Sequence, residues 1–163
     1  MLIRKATIED LPRLMTIYER ARHFMSSAGN ARQWIDGYPS EELIRSEITA
    51  GHCHVCCSDA RIVGVFCFIK GEDPNYTCIE EGEWLNDEPY ATIHRLATSG
   101  EEKGVADACF HWCMQQCANL RADTHRDNLI MQHILRKYGF RYCGIIYVAN
   151  GTLRLAYQRC EHP

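Results

Sequence analysis

Apolar and polar positions alternate over Leu2–Ala6, which predicts a short strand at the start of the chain. Thr7-Ile8-Glu9-Asp10 ends it, with Thr7 and Asp10 spaced like a capping box in which Asp replaces the usual Glu or Gln. Leu11, Leu14, Met15, Tyr18, Ala21 and Arg22 then keep helical spacing to about Met25. Pro12 falls in the first turn, where a missing N–H is tolerated. Residues 26–37 read as loop, although Trp34 and Ile35 are strongly apolar for one. Ser40 caps a second helix with a stripe of Leu43, Ile44 and Ile48, and Gly51 stops it. Strands over Cys53–Ser58 and Ile62–Lys70 follow, joined by Asp59-Ala60-Arg61 as an antiparallel hairpin.

Gly71–Pro89 is the longest stretch without clear periodicity; it is acidic and carries Trp84. Compact domains seldom keep such a loop unless it has a task, and a short irregular strand is expected near Tyr76–Glu81. Tyr90–Thr98 reads as a strand, Ser99–Lys103 as a loop, and Gly104 leads into a helix to about Cys117. Leu120–Thr124 is a short strand and Asp127–Tyr138 a helix closed by Gly139. Phe140–Val148 and Thr152–Gln158 form a closing hairpin around Ala149-Asn150-Gly151. The order β-α-α-β-β-β-α-β-α-β-β is that of a mixed α/β sheet domain, one domain over residues 1–163.

Composition narrows the function classes. A net charge of −3 with interspersed signs leaves no electrostatic footprint for nucleic acid, so any bound anion must be held locally by a loop or helix end. No apolar run approaches the ~20 residues that span a bilayer, and Met1–Thr7 lacks the features of a signal peptide, so a cytoplasmic protein without membrane contact is expected. Ten cysteines are many, but most fall inside apolar periodic segments, as buried free thiols do, and a disulfide framework is not expected. His52-Cys53-His54-Val55-Cys56-Cys57 looks like a metal cluster. In a strand, however, its ligands would point to opposite faces with no second pair at zinc spacing, so no metal is expected.

The informative region is Tyr90–Phe140. A strand runs into a short polar loop, and a helix follows Gly104. Amides at a helix start have no intrahelical partners and the macrodipole adds partial positive charge, so such a junction suits phosphate or pyrophosphate. The chain then reads Leu96-Ala97-Thr98, Glu101-Glu102-Lys103-Gly104-Val105-Ala106, Leu120–Thr124 and Asn128-Leu129-Ile130-Met131-Gln132-His133-Ile134-Leu135-Arg136-Lys137-Tyr138-Gly139-Phe140. In order and spacing, with the Ile3–Leu11 opening, this resembles the GNAT (GCN5-related) N-acetyltransferase superfamily over nearly the whole chain.

The resemblance implies the acyl-CoA N-acyltransferase fold, a mixed, mostly antiparallel central sheet flanked by helices, with acetyl-CoA as acyl donor. The backbone of Leu96, Ala97 and Thr98 would pair with the pantetheine arm. The amides of Gly104, Val105 and Ala106 would hold the pyrophosphate, with Lys103 beside them, and Asn128 would reach the pantetheine near the thioester. Asn128 also reads as a helix N-terminal residue satisfying backbone groups. Three departures stand out: Glu101 replaces the family's Arg or Gln, the loop before Gly104 is shorter than the common version, and Leu135 occupies the slot of a tyrosine acid.

Amide formation from a thioester needs a neutral amine, hence a proton acceptor. His94, two residues before Leu96, is the candidate base, the alternative being a core histidine that orients the loop. Tyr138 and Tyr90 are candidate acids, although a thiolate leaves well without one. Trp34, Tyr38, Trp84 and Tyr90, with Glu80, Glu81 and Glu83, would favour a cationic acceptor; a packed loop with a solvated acidic rim reads equally well. The expectation is acetyl transfer to a small-molecule primary amine by direct attack in a ternary complex, with a homodimer left open. The alternatives are a non-catalytic CoA-binding module on the same fold and an acyltransferase acting on a protein amine.

Overall fold

The computed structural model describes residues 1–161. Seven strands form one sheet: β1 (Leu2–Lys5), β2 (Cys53–Ser58), β3 (Arg61–Lys70), β4 (Ala91–Thr98), β5 (Asn119–Thr124), β6 (Arg141–Tyr147) and β7 (Leu153–Cys160). Their spatial order is β1-β2-β3-β4-β5-β7-β6. All neighbouring pairs are antiparallel except β4 and β5. Four helices, α1 (Leu11–Ser27), α2 (Glu41–Thr49), α3 (Val105–Gln116) and α4 (Leu129–Lys137), cover the two faces.

Strand alternation sorts the side chains into these layers. On β3, Val65 and Cys67 pack with Leu14, Ile17 and Tyr18 of α1 and Ile44 of α2, while Phe66 and Phe68 pack with Phe110 and Cys113 of α3. Gly64 is the point of closest approach of α3 to the sheet, since a Cβ there would lie 2.5 Å from Val105 Cγ1. All ten cysteines are free, and the seven that are buried act as small core residues.

Two irregularities in β4 open the centre of the sheet. Val65 pairs with Ala97 but Cys67 with His94, so Arg95 and Leu96 together oppose Phe66 in a β-bulge. Arg95 takes φ +54°, an uncommon conformation for a non-glycine residue, and its freed carbonyl accepts the Tyr18 hydroxyl at 2.7 Å. The second irregularity is that β4 and β5 pair only at Ala91–Leu120 and Thr92–Arg121. After Thr92 the two parallel strands part, which leaves the inner edge of β4 without a ladder partner.

The 71–90 segment is pinned to the sheet by polar side chains. Arg121 lies between the rings of Trp84 and Tyr90, 4.0 Å from each centroid, and donates to Asn86 O at 2.9 Å. Asn119 Nδ2 donates to Glu88 O and Pro89 O, and Gln158 Oε1 accepts Leu85 N–H at 2.8 Å. The strand expected near Tyr76–Glu81 is reduced to a 3-10 turn at Pro74–Tyr76 and one bridge, Glu80 to Ile145. Pro74 opens that turn and Asp73 caps it by accepting Asn75 N–H, which takes these residues out of any ladder.

Candidate functional site

Where β4 and β5 part, a cavity of about 790 Å³ opens between α1 and the 28–38 loop on one side and α4 on the other. Its surface includes Ile93 to Thr98 of β4, Ala122 and Asp123 of β5, and Asn128 to Met131, Ile134 and Leu135 of α4. No helix among the described residues is long and apolar enough to cross a membrane.

At one end lies the Ser99–Gly104 loop. Gly104 takes φ +80° as the residue before α3, and the first bond of the helix runs from Ala108 N–H to Gly104 O. The amides of Val105, Ala106 and Asp107 thus lack intrahelical partners. Ala106 and Gly100 line the cavity. Gly100, at φ +74°, is covered by the Arg20 guanidinium so closely that a Cβ there would overlap it. Arg20 otherwise makes one long contact to Thr98 O, 3.4 Å, and no ion pair among the described residues. Glu101 does not oppose an anion here, because its carboxylate turns outward to Arg13 at 2.9 Å and Arg61 at 3.7 Å.

At the other end His94 meets Asp73. His94 Nε2 lies 2.7 Å from Asp73 Oδ2, with both side chains largely buried yet lining the cavity. Asp73 is fixed by its own turn: Oδ1 accepts Asn75 N–H at 2.8 Å, and its backbone N–H donates to the Tyr90 hydroxyl at 2.8 Å. Burial pushes the Asp73 carboxyl up, but the hydrogen bond and charge of His94 and the Asn75 amide outweigh it and hold the group below the usual carboxylate range. An ionised Asp73 keeps a proton on Nε2 and leaves the Nδ1 lone pair as acceptor. The bulge at Arg95 sits directly after His94, where Arg95 Nε donates to the Tyr38 hydroxyl at 2.7 Å.

Gln33 ties this end to the rest. Its Oε1 accepts from Asn30 Nδ2, Thr124 Oγ1, His125 N–H and Asn128 Nδ2 at 2.9–3.3 Å. Asn128 is accordingly the cap of α4, accepting Met131 N–H at 3.0 Å, and it lines the cavity too.

The structure thus brings His94, Leu96, Ala97, Thr98, Ala106, Asn128 and Trp34 to one cavity. It does not bring Trp84, Tyr90 or Tyr138 to its lining. Trp84 donates its indole N–H to Tyr76 O and stacks on Arg121, so it builds the loop. Tyr90 is buried against the same Arg121 and supports Asp73 from behind. Tyr138 stacks on Phe110 at 4.9 Å with its hydroxyl buried and unbonded. It is the C-cap residue just past the end of α4, so the face it would share with Leu135 at helical spacing does not carry it into the cavity. Val105 is a core residue whose amide alone faces outward chemistry, and Lys103 and Gly104 are exposed beside the loop. Glu80, Glu81 and Glu83 lie away from the lining. Sequence reasoning missed Asp73, Arg20, Gln33, Asp123 and Arg154. Only Asp73 carried a local signal, the Asp-Pro-Asn turn.

No protein-family profile matches the sequence, and no curated protein matches it. Solved structures do. An acetyltransferase of the GNAT family from Streptococcus agalactiae is 33% identical, with TM-score 0.90, over 99% of this chain and 96% of that one. A GNAT-family acetyltransferase from Listeria monocytogenes is 18% identical, with TM-score 0.70, over 97% and 93%. A ribosomal-protein-alanine N-acetyltransferase from Brucella melitensis is 17% identical, with TM-score 0.62, over 98% and 99%. The latter two show the fold; the first, at this identity over nearly its full length, establishes that the chain belongs to the GNAT acetyltransferase family.

Proposed function

We propose that the chain transfers an acetyl group from acetyl-CoA to a small-molecule primary amine by direct attack, with His94 as the base. The observation that carries this is the Asp73–His94 pair, 2.7 Å apart, facing the cavity that opens where β4 leaves β5.

The residues present fit acetyl-CoA. The unpaired edge of Leu96–Thr98 offers main-chain groups to the amides of a pantetheine arm, in the manner of an added strand. The free amides at the start of α3 and the uncommitted guanidinium of Arg20 suit the diphosphate. When bound, acetyl-CoA supplies a thioester carbonyl open to amine attack and a thiol leaving group. His94 takes the proton that the amine gives up, and Asp73 stabilises the imidazolium that results. Trp34 and Leu135 give the cavity apolar walls beside β4. Leu135 leaves no phenol at its position on α4, so the leaving thiolate is protonated from solvent.

A non-catalytic binder would draw its support from Glu101 and from Leu135 in the place of a phenol. The turning of Glu101 to Arg13 removes the first ground, and the second is left to the turnover assay. Thermal shift with acetyl-CoA tests the donor, and release of free CoA thiol over a panel of amines tests turnover. Stabilisation by several degrees and thiol release with at least one amine are expected. Absence of stabilisation at saturating acetyl-CoA would overturn the donor assignment, and stabilisation without thiol release on any amine would overturn the transferase.

A further inference from the structure

Arg154 on β7 is 5% exposed and lines the same cavity. Its Nη1 donates to Thr152 Oγ1 and Leu153 O, each at 3.0 Å, and its Nη2 to Gln33 O at 2.9 Å. Every one of these acceptors is neutral. They orient the guanidinium without cancelling its charge, and among the described residues it has no ion-pair partner. A buried cation in that state is costly unless something else meets it. Asp123 of β5 lines the cavity too and acts on Arg154 through its charge, but it makes no ion-pair contact with it and accepts the Tyr76 hydroxyl at 2.6 Å. Arg95, by contrast, is committed to Tyr38 and lies 3.5 Å from Glu47. Arg20 belongs to the opposite end, over Gly100.

The cavity that holds His94 thus combines an anionic partner for an amine, Asp73, with a fixed guanidinium that has no ion-pair contact among the described residues. We infer that the acceptor is a free amino acid, its carboxylate bound by Arg154 and its amino group directed to the Asp73–His94 pair. The inference rests on the transferase reading and narrows its substrate. A guanidinium is the side chain best shaped for a carboxylate. A diamine would bring a second cation toward Arg154, and a protein lysine or N-terminus carries no carboxylate at a fixed reach from its nitrogen. Gln33, which fixes the 28–38 loop to β5 and α4, also holds Arg154 through its backbone carbonyl, so the guanidinium is reached through the cavity.

The test compares each L-amino acid with its carboxamide and its decarboxylated amine on the wild-type chain with acetyl-CoA, reading thiol release. For the best acceptor, kcat/KM should be about 10- to 100-fold higher for the acid than for either analogue, the range of one charged hydrogen-bonded contact. Equal or better use of the analogues would overturn the inference. Arg154→Gln should bring the acid-to-amide ratio close to one while turnover of the amide persists; an unchanged ratio in a folded variant would also overturn it. If that variant does not fold, the wild-type comparison decides alone. Calorimetry of amino acids against the CoA-saturated chain separates the two levels. Acid bound in preference to amide without turnover would sink the transferase and keep the Arg154 site, whereas no preference would sink the site.

Discussion

At the Ser99–Ala106 end of the cavity the surface is mostly main chain: an unpaired strand edge, two glycines with positive φ and the first amides of α3, with the Arg20 guanidinium laid across Gly100. At the Asp73–Arg154 end it is side chains drawn from the 71–90 loop, the 28–38 loop, β4, β5 and β7. The first kind of surface needs only a local backbone conformation, so many sequences can supply it. The second depends on contacts between residues far apart in the chain, so each position in it is chosen by partners that local sequence does not reveal. Main-chain recognition is accordingly general to a fold, and side-chain recognition is particular to one chain.

The sharpest way to break the comparison is His94→Gln. If the side-chain end carries the chemistry and the main-chain end the donor, kcat should fall by about 10²- to 10⁴-fold. Stabilisation by acetyl-CoA should stay close to that of wild type. Loss of both together would mean that the two ends are not separable, and an unaltered kcat would remove His94 from the mechanism.

Gln33→Leu probes the joint between the ends. It deletes one acceptor shared by Asn30, Thr124, His125 and Asn128, leaving buried donors without a partner. Stability should fall by about 2–3 kcal/mol, read as a lower urea midpoint at constant m. The KM for the amine should rise more than the KM for acetyl-CoA. An equal rise in both would show that the 28–38 loop serves the donor as much as the acceptor.

These contrasts also explain which features the sequence discloses. The strands and helices are legible almost to the residue, because alternation on β3 and the stripes on α1 and α2 follow burial. So is the junction at Gly104, because a backbone site leaves glycines and a strand-to-helix change behind it. Trp34 and His94, singled out by apolar character in a loop and by position on β4, both line the cavity. Trp84 and Tyr90 mislead because aromatic residues in a long acidic loop look like a binding surface, whereas both grip Arg121, a residue about thirty or more positions away. Arg154 and Gln33 are invisible for the same reason, being 121 positions apart in sequence and 2.9 Å apart in space. The bulge that frees the Arg95 carbonyl also has no signature in composition.

Arg20→Gln sharpens the other side of the comparison. The main-chain end retains its amides but loses its charged donor, so the KM for acetyl-CoA should rise about tenfold, as for one charged hydrogen bond. Acetyl-pantetheine, which lacks the diphosphate, should be used equally by variant and wild type. A matching loss with acetyl-pantetheine would place Arg20 outside diphosphate recognition. The residue is exposed, so the folded chain should tolerate the change.

The smallest expected effect distinguishes the ends by pH. Main-chain amides do not titrate, but the side-chain end contains Asp73, whose carboxyl is held below its ordinary range because His94 and the Asn75 amide outweigh burial. A carboxyl depressed in the folded state binds fewer protons there than in the unfolded chain. Its contribution to stability is therefore complete above the unfolded value of about 3.9 and is lost as pH falls through the folded one. Asp73→Asn should cost about 1–2 kcal/mol at pH 7 by urea denaturation. The gap to wild type should close as pH falls below about 4, whereas the gap for Arg20→Gln, if any, should not change over the same range. A deficit for Asp73→Asn that persists undiminished in acid would mean that the carboxylate contributes by shape and neutral hydrogen bonds, not by its charge against His94.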